Sequence, residues 1–231
     1  MNVREQREDM LTIFKRELSD ALVSVRSIIL LVILFLMTSL VYQNKAAISI
    51  VLSPSEFGLL ILGVALFMIG TFMFLTFTSS ITQELANQTI RYIVPYLSRT
   101  KYLLAKYFSM VAYGVIMVIL SMGLDFLVTG TVNLKFAVTG LGFVMLISAI
   151  MVLISLVAVN VRLATFSGIL MALGFPILTF WASTTSNKLL SNLQYLSPYR
   201  YLDFNWWLFV PFIASVLLMY VSQQLFVKKA V

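Results

Sequence analysis

Long apolar runs alternate with short polar segments along the whole of this 231-residue chain. Six of the runs approach the length of about 20 residues that a helix needs to cross the hydrocarbon core of a bilayer. Each run is therefore predicted to be one membrane-spanning helix. The pattern predicts a single all-α polytopic membrane domain over 1–231, with spans at 23–42, 57–77, 107–128, 136–159, 163–181 and 206–227.

The segment before the first span is mostly polar, but apolar side chains recur on one side of it. They follow one another at steps of four, four, four and three, and they are Met10, Phe14, Leu18, Leu22 and Val25. Charged residues fill much of the remaining surface. The pattern predicts an interfacial helix at 1–24 that leads into the first span, and a solvated leader is the alternative.

A second polar run, 80–106, separates the second span from the third. Apolar residues recur in it at steps of four, three and four, as on one face of a short amphipathic helix. They are Ala86, Ile90, Ile93 and Leu97. The polar face of that helix carries Gln83, Glu84, Asn87, Gln88 and Arg91. Pro95 is predicted to stop the helix near Val94, and Ser98 is predicted to cap the next one. Such a helix can contact a partner protein or lie flat in the headgroups, and the spacing favours neither.

The segment 182–205, between the last two spans, has an amphipathic pattern of its own. Leu189, Leu193 and Leu196 share one helical face, which predicts that part of the segment lies on the outer leaflet. Trp181 precedes it and Trp206 follows it, as in the aromatic belt of a membrane interface.

Composition and charge support this topology. Hydrophobic residues make up 61% of the chain and the mean hydropathy is +0.99. Of the 16 basic residues, four fall on the predicted outer segments, namely Lys45, Lys135, Lys188 and Arg200. The other twelve fall on inner segments, so the positive-inside rule predicts that both termini are cytosolic. The net charge of +7 fits attraction to anionic lipids better than binding of nucleic acid.

The chain offers little chemistry for catalysis. It contains no Cys and no His, and it has no Gly-rich phosphate loop ending in Lys-Ser or Lys-Thr. We therefore expect no catalytic residue, no metal site and no nucleotide hydrolysis in this chain. Asp125 is the one acid well inside a span, where a charge costs about 2.5 to 3.5 kcal/mol. Asp125 has either a transport role or the role of a snorkelling or structural acid, since it lies about one turn from the predicted outer surface and can reach the headgroups or Lys135.

The order of residues in QELANQTIRYIVPYLSRTKYLLAK, within a six-span topology, resembles the permease subunits of ABC-2-type transporters. In such permeases the loop between spans two and three commonly carries a Glu, a short helix, a Pro-x-x-Ser-Arg turn and a Lys that opens the third span. The matching positions here are Glu84, Pro95, Ser98, Arg99 and Lys106. The segments FKRELSDALVSVRS and LQYLSPYRYLD also resemble the family.

The resemblance implies that the 80–106 loop contains a coupling helix, which sits in a groove of a separate ATPase subunit that binds ATP and Mg. The implied contact residues are Gln83, Glu84, Asn87, Gln88, Arg91 and Arg99. The interfacial helix would touch the same partner through Phe14, Lys15, Arg16 and Glu17. Spans two and five would border a pathway at the centre of a permease dimer. The candidate lining residues are Thr71, Phe74, Phe166, Met171 and Phe175, together with Asp125 of span three.

The leading hypothesis is therefore the permease subunit of an ABC exporter in a bacterial plasma membrane. Two ATPase subunits and a second permease, identical or related, would complete the complex. An apolar pathway would suit a hydrophobic or amphipathic cargo, such as a toxic peptide, a drug or a lipid. Two alternatives stay open: an ion- or proton-coupled secondary transporter that uses Asp125, and a membrane immunity or sensor protein that binds a peptide.

Overall fold

The computed structural model describes residues 3–44, 54–88, 98–130, 134–184 and 209–229. Within these ranges the chain is almost entirely helical and contains no strand, which confirms the predicted all-α class. Within these ranges each of the six predicted spans overlaps one long helix, although the first crosses the break at Ser24 and the last begins at 206–208, outside the described residues. The helices are α1 (Val3–Val23), α2 (Val25–Gln43), α3 (Pro54–Phe77), α4 (Ser80–Ala86), α5 (Arg99–Thr129), α6 (Leu134–Val157), α7 (Val161–Thr184) and α8 (Phe209–Lys229).

Four helical stretches are long and apolar enough to cross a membrane. They are Leu62–Ala86, Arg99–Leu127, Leu134–Val157 and Phe209–Lys228. The bent pair α1–α2 adds a fifth, and α7 contains a shorter apolar helix, Val161–Phe175. The described residues thus fit a multi-pass membrane protein with four or five spans. The sixth span and the cytosolic position of the termini stay predictions.

Helices α1 and α2 meet at Ser24 with a bend of 54°. The hydroxyl of Ser27 donates to the carbonyl of Ala21 and lies 2.8 Å from the hydroxyl of Tyr113 in α5. Because the Ser27 hydroxyl has one proton, the Tyr113 hydroxyl is the donor in the second bond. The bend is therefore fixed against the centre of the bundle.

Helix α1 packs along α5 instead of standing apart from the spans. Its most buried apolar side chains are Ile13 and Ala21. The predicted apolar face is thus rotated slightly, since Met10 and Leu18 are only partly buried. Val25, the last residue of the predicted face, belongs to α2 and is exposed.

Helix α5 forms the centre of the bundle and contacts α1, α2, α3, α6 and α8. Its Gly114 lets three helices approach closely. A Cβ at this position would lie 2.5 Å from Val144 Cγ1 of α6 and 2.9 Å from Met73 Sδ of α3. Small residues permit such close packing where helices meet in a membrane. Outside this core, α7 packs mainly on α3, and α8 packs mainly on α6.

Residues 158–160 join α6 to α7 in a tight turn, close to the predicted junction. The side-chain oxygen of Asn160 accepts a hydrogen bond of 2.8 Å from the backbone N–H of Leu163. This is the bond that an N-terminal cap makes to the first turn of a helix. After the turn, α7 leaves α6 and makes most of its contacts with α3.

The predicted coupling helix corresponds only in part to α4. Helix α4 ends at Ala86, and Gln88 has a left-handed backbone with φ of 57°. A right-handed helix cannot continue through such a residue, so the helix does not run on unbroken to Val94. Residues 89–97, which carry Arg91 and Pro95, lie outside the described residues. Ser98 precedes the first residue of α5, as predicted, although its hydroxyl makes no capping hydrogen bond.

Thr78 and Ser79 separate α3 from α4. The last four carbonyls of a helix have no partner within the helix, so a break at this depth must be compensated. The guanidinium of Arg26, in α2, donates to the carbonyl of Leu75. The hydroxyl of Thr78 donates to the carbonyl of Phe74 at 2.7 Å. Two side chains thus satisfy acceptors in the last turn of α3.

The predicted outer segment at 182–205 lies almost wholly outside the described residues, apart from the end of α7.

Candidate functional site

Three helices meet around one buried cation at the end of the bundle that the charge pattern predicts to be cytosolic. Lys106 lies in α5, two turns after the helix begins, and its side chain is only 2% exposed. Helix α1 reaches it with Glu17 and helix α4 reaches it with Glu84. The site therefore joins the predicted interfacial helix, the predicted coupling segment and a span.

The distances in this cluster are those of direct ion pairs. Lys106 Nζ lies 2.7 Å from Glu17 Oε2 and 2.7 Å from Glu84 Oε1. Tyr102, one turn earlier in α5, donates its hydroxyl hydrogen to Glu84 Oε2. A buried charge is costly unless it is paired and hydrogen-bonded, and both conditions are met here. The two carboxylates are what allow Lys106 to be buried.

Arg16 closes the cluster on its solvent side. Its guanidinium lies 3.2 Å from Glu17 Oε1 and 3.7 Å from Glu84 Oε1, and its side chain is 51% exposed. The cluster thus holds two cations and two anions. The ion pairs of Arg16 are weaker than those of Lys106, because exposed pairs are screened by water and salt.

Helix α4 is also attached to α6 on its other side. The backbone N–H of Thr82 donates to Ser155 Oγ at 3.0 Å, and the hydroxyl of Thr82 donates to the Ser155 carbonyl. The two hydroxyl oxygens lie 3.0 Å apart. Ile81 and Thr82 are buried. Helix α4 is therefore held between α5 and α6 on its inner faces.

The first turns of α5 are tied to the end of α8. The guanidinium of Arg99 donates to the carbonyl of Val227 at 3.3 Å, which places a cation at a helix C-terminus. Gln223 donates to Thr100 Oγ1 at 3.1 Å. The ring of Tyr102 stacks on Phe226 with centroids 5.9 Å apart. These contacts fix the orientation of Tyr102, which in turn holds Glu84.

The predicted partner-contact residues divide into two groups. Gln83 on α4 is exposed, as are Asn87 and Gln88 just after its end, whereas Glu84 points to Lys106. On α1, Lys15 and Arg16 are exposed and Phe14 is half-buried, whereas Glu17 points to Lys106. Arg99 is half-buried against α8, and Arg91 lies outside the described residues. The outward surface is thus made of amides and cations, and the two carboxylates lie on its inner side.

The predicted pathway residues do not form one surface. Phe74 and Phe175 are buried and lie against each other with ring centroids 6.1 Å apart. Thr71 donates to the carbonyl of Phe67 in its own helix and to that of Ala172 in α7. Phe166 is 58% exposed on α7, and Met171 is partly buried. Thr71, Phe74 and Phe175 thus help to hold α3 and α7 together.

Asp125 is far from the cluster and is buried. Helix α5 rises about 1.5 Å per residue, so Asp125 lies ~28 Å from Lys106 along the axis. Its exposed fraction is 4%. A buried position favours a structural or transport acid over one that reaches the headgroups. Across the described ranges, no three His, Cys, Asp or Glu side chains are grouped as a metal site would require.

Sequence reasoning did not find the role of Tyr102 or the inward direction of Glu17. The sequence feature that could have predicted this cluster is a lysine in the first turns of an apolar helix, with a tyrosine one turn before it. Such a lysine needs counterions, and the acids nearest the membrane in the neighbouring polar segments are Glu17, Asp20 and Glu84. The sequence alone does not say which acids turn inward.

No protein-family model matches this chain, and no curated protein matches it significantly. The functional argument therefore depends on the residues and their geometry.

Proposed function

We propose that this protein is the permease subunit of an ATP-driven ABC exporter, in which a separate ATPase subunit supplies the energy. The observation that carries the proposal is the ionic junction of Lys106 with Glu17 and Glu84, which connects α1 and α4 directly to α5. A permease driven from outside needs such a connection, because force applied at α1 or at the end of α4 must reach the centre of the bundle. Two ATPase subunits, which bind ATP and Mg, and a second permease would complete the complex.

The outward surface beside the junction supports a protein partner. The exposed amides of Gln83, Asn87 and Gln88 can donate and accept hydrogen bonds in an aqueous groove. The exposed Lys15 and Arg16 would favour a partner whose facing surface is acidic. We call these five residues the inner docking surface.

The proposed cargo is hydrophobic or amphipathic, such as a peptide, a drug or a lipid. Support comes from α7, which is apolar on its exposed side over several turns. The exposed residues include Phe166, Ile169, Leu170, Leu173 and Ile177. Such a face suits contact with apolar molecules or with lipid.

The test is purification of the tagged chain from bacterial membranes together with its candidate ATPase. We expect the ATPase to co-purify with the wild-type chain and its hydrolysis rate to depend on the chain. Asn87→Glu should abolish both effects, because a carboxylate would replace an exposed amide of the inner docking surface and would repel an acidic partner surface. Asn44→Glu is the matched control, since Asn44 is an exposed amide at the other end of the bundle. Equal behaviour of the two variants would refute the docking assignment.

The burial of Asp125 favours a second candidate function, an ion- or proton-coupled secondary transporter. An acid inside a span is costly and is often functional. This candidate requires flux through the chain without any ATPase. If the purified chain alone moved solute against a gradient in vesicles that lack nucleotide, the ABC proposal would be wrong.

A further inference from the structure

In the cluster around Lys106, the cation and its two counterions come from three different helices. The buried cation belongs to α5, while its two anions belong to α1 and α4. Both carboxylate oxygens touch one nitrogen, so they lie within roughly 6 Å of each other, where two anions repel strongly in a medium of low dielectric. Glu17 and Glu84 can therefore both stay ionised side by side only while a cation lies between them.

Arg16 cannot replace Lys106 in this position. Arg16 lies on the solvent side of the carboxylates, is half exposed and contacts Glu84 at the longer distance of 3.7 Å. Lys106 is almost fully buried and reaches both acids at 2.7 Å. The attraction between α1 and α4 thus passes mainly through the ammonium of Lys106.

We propose that Lys106 is a positioning residue that holds α1 and α4 in one fixed arrangement at the start of α5. The inner docking surface is composite, because its amides lie on α4 and just after its end and its cations lie on α1. Lys106 keeps the two parts in register for a partner that contacts both. The identity of that partner rests on the proposed function, whereas the fixed arrangement is a property of this chain alone.

If Lys106 contributed only to stability, its variants would give a different experimental result. Glu17→Gln removes the ionic link to α1 but leaves Lys106 paired with Glu84, which also accepts the hydrogen bond of Tyr102. A structural role predicts a lower melting temperature and an unchanged distance between α1 and α4 in the folded protein. The positioning role predicts that this distance becomes broadly distributed while the protein stays folded.

The chain contains no Cys, so two introduced cysteines are its only thiols. Lys15→Cys on α1 and Asn87→Cys just after the end of α4 replace exposed residues and can carry spin labels. Double electron–electron resonance on the full chain in nanodiscs then measures the distance between the two helices. We expect one narrow distance in the parent protein and a broadened distribution, with a second population, in Glu17→Gln and Lys106→Met.

Two further variants sharpen the comparison. Asp20→Asn removes an exposed acid from the same helix and should keep the narrow distance. Lys106→Arg keeps the cation and should preserve most of the narrow population. If Lys106→Met does not fold, Glu17→Gln decides the question. Distributions for folded Glu17→Gln that overlap those of the parent protein would overturn the proposal.

Failure of this inference can be told apart from failure of the proposed function. The distance measurement uses the chain alone and needs no ATPase. If a candidate ATPase binds, we expect Lys106→Met to weaken assembly less than Asn87 substitution does, because all five docking side chains are kept although their two parts are no longer held in register, and to hydrolyse ATP without transport. Coupled transport at the parent rate by folded Lys106→Met would overturn the positioning role.

Discussion

The ammonium nitrogen of Lys106 lies 2.7 Å from Glu84 Oε1, although the two residues belong to different helices and are 22 positions apart. The same nitrogen is equally close to Glu17 Oε2. A single buried charge therefore connects three segments that are distant in sequence. Its removal would leave two acids in the interior with only the half-exposed Arg16 to balance them.

Replacement of Lys106 with Met should destabilise the protein strongly. Loss of one partner from a buried ion pair costs on the order of 3 to 5 kcal/mol, because the remaining charge stays buried and unpaired. Thermal and denaturant unfolding in detergent micelles would measure the effect. Lys135→Met is the control, since Lys135 is exposed and its loss should change stability by less than about 0.5 kcal/mol. Similar stabilities of the two variants would contradict the ion-pair geometry.

Gly114→Ala should destabilise the bundle by about 1 to 3 kcal/mol, the usual cost of overpacking a core. The added methyl would lie 2.5 Å from a methyl group of Val144 and would force α5 and α6 apart. Gly123, in the same helix, has nothing within 4 Å of the corresponding position. Gly123→Ala should therefore be neutral or slightly stabilising. The unfolding midpoints of the two variants give the comparison, and a stable Gly114→Ala would argue against close packing here.

The bonds between Thr82 and Ser155 should contribute measurably to the attachment of α4 to α6. Thr82→Val and Ser155→Ala should each lower the unfolding free energy by about 1 kcal/mol. The double variant should lose less than the sum, because both changes remove the same bond between hydroxyls. Thr165→Val is the control, since Thr165 bonds only within α7 and is exposed. Strict additivity would mean that the two hydroxyls do not interact.

Asp125→Asn distinguishes the two candidate functions. If an ATPase drives transport, the variant should retain most of its ATP-dependent transport, because the amide has nearly the same shape as the carboxylate. If ions or protons drive transport through Asp125, the variant should lose flux altogether, since an amide cannot carry the charge. Transport into inverted vesicles, with and without ATP, measures both outcomes.

Much of the fold can be predicted from the sequence, because a run of apolar residues long enough to cross a membrane is visible in the sequence itself. In the described residues each predicted span overlaps a long helix, and Ser98 immediately precedes α5. The direction of a side chain around a helix was harder to predict. Glu17 and Glu84 were expected on a partner-facing surface, but both turn to Lys106, which is distant from each in sequence.

The predicted coupling helix is a second feature that the spacing of apolar residues did not predict correctly. Its spacing fitted one helix to Val94, yet Gln88 is left-handed and α4 ends at Ala86. Thr82 also turns inward, because Ser155 offers it both a hydroxyl and a carbonyl. Tertiary hydrogen bonds of this kind leave no trace in the spacing of residues.

The bond from Arg26 to the carbonyl of Leu75 affects how the backbone continues from α3 into α4. Lipid offers no water to a backbone oxygen that loses its partner, so most spans cannot change direction partway along without a penalty. Here a long and flexible side chain from α2 supplies the bond in place of another helical turn. The junction between α3 and α4 can therefore depart from regular helical geometry while that carbonyl stays hydrogen-bonded.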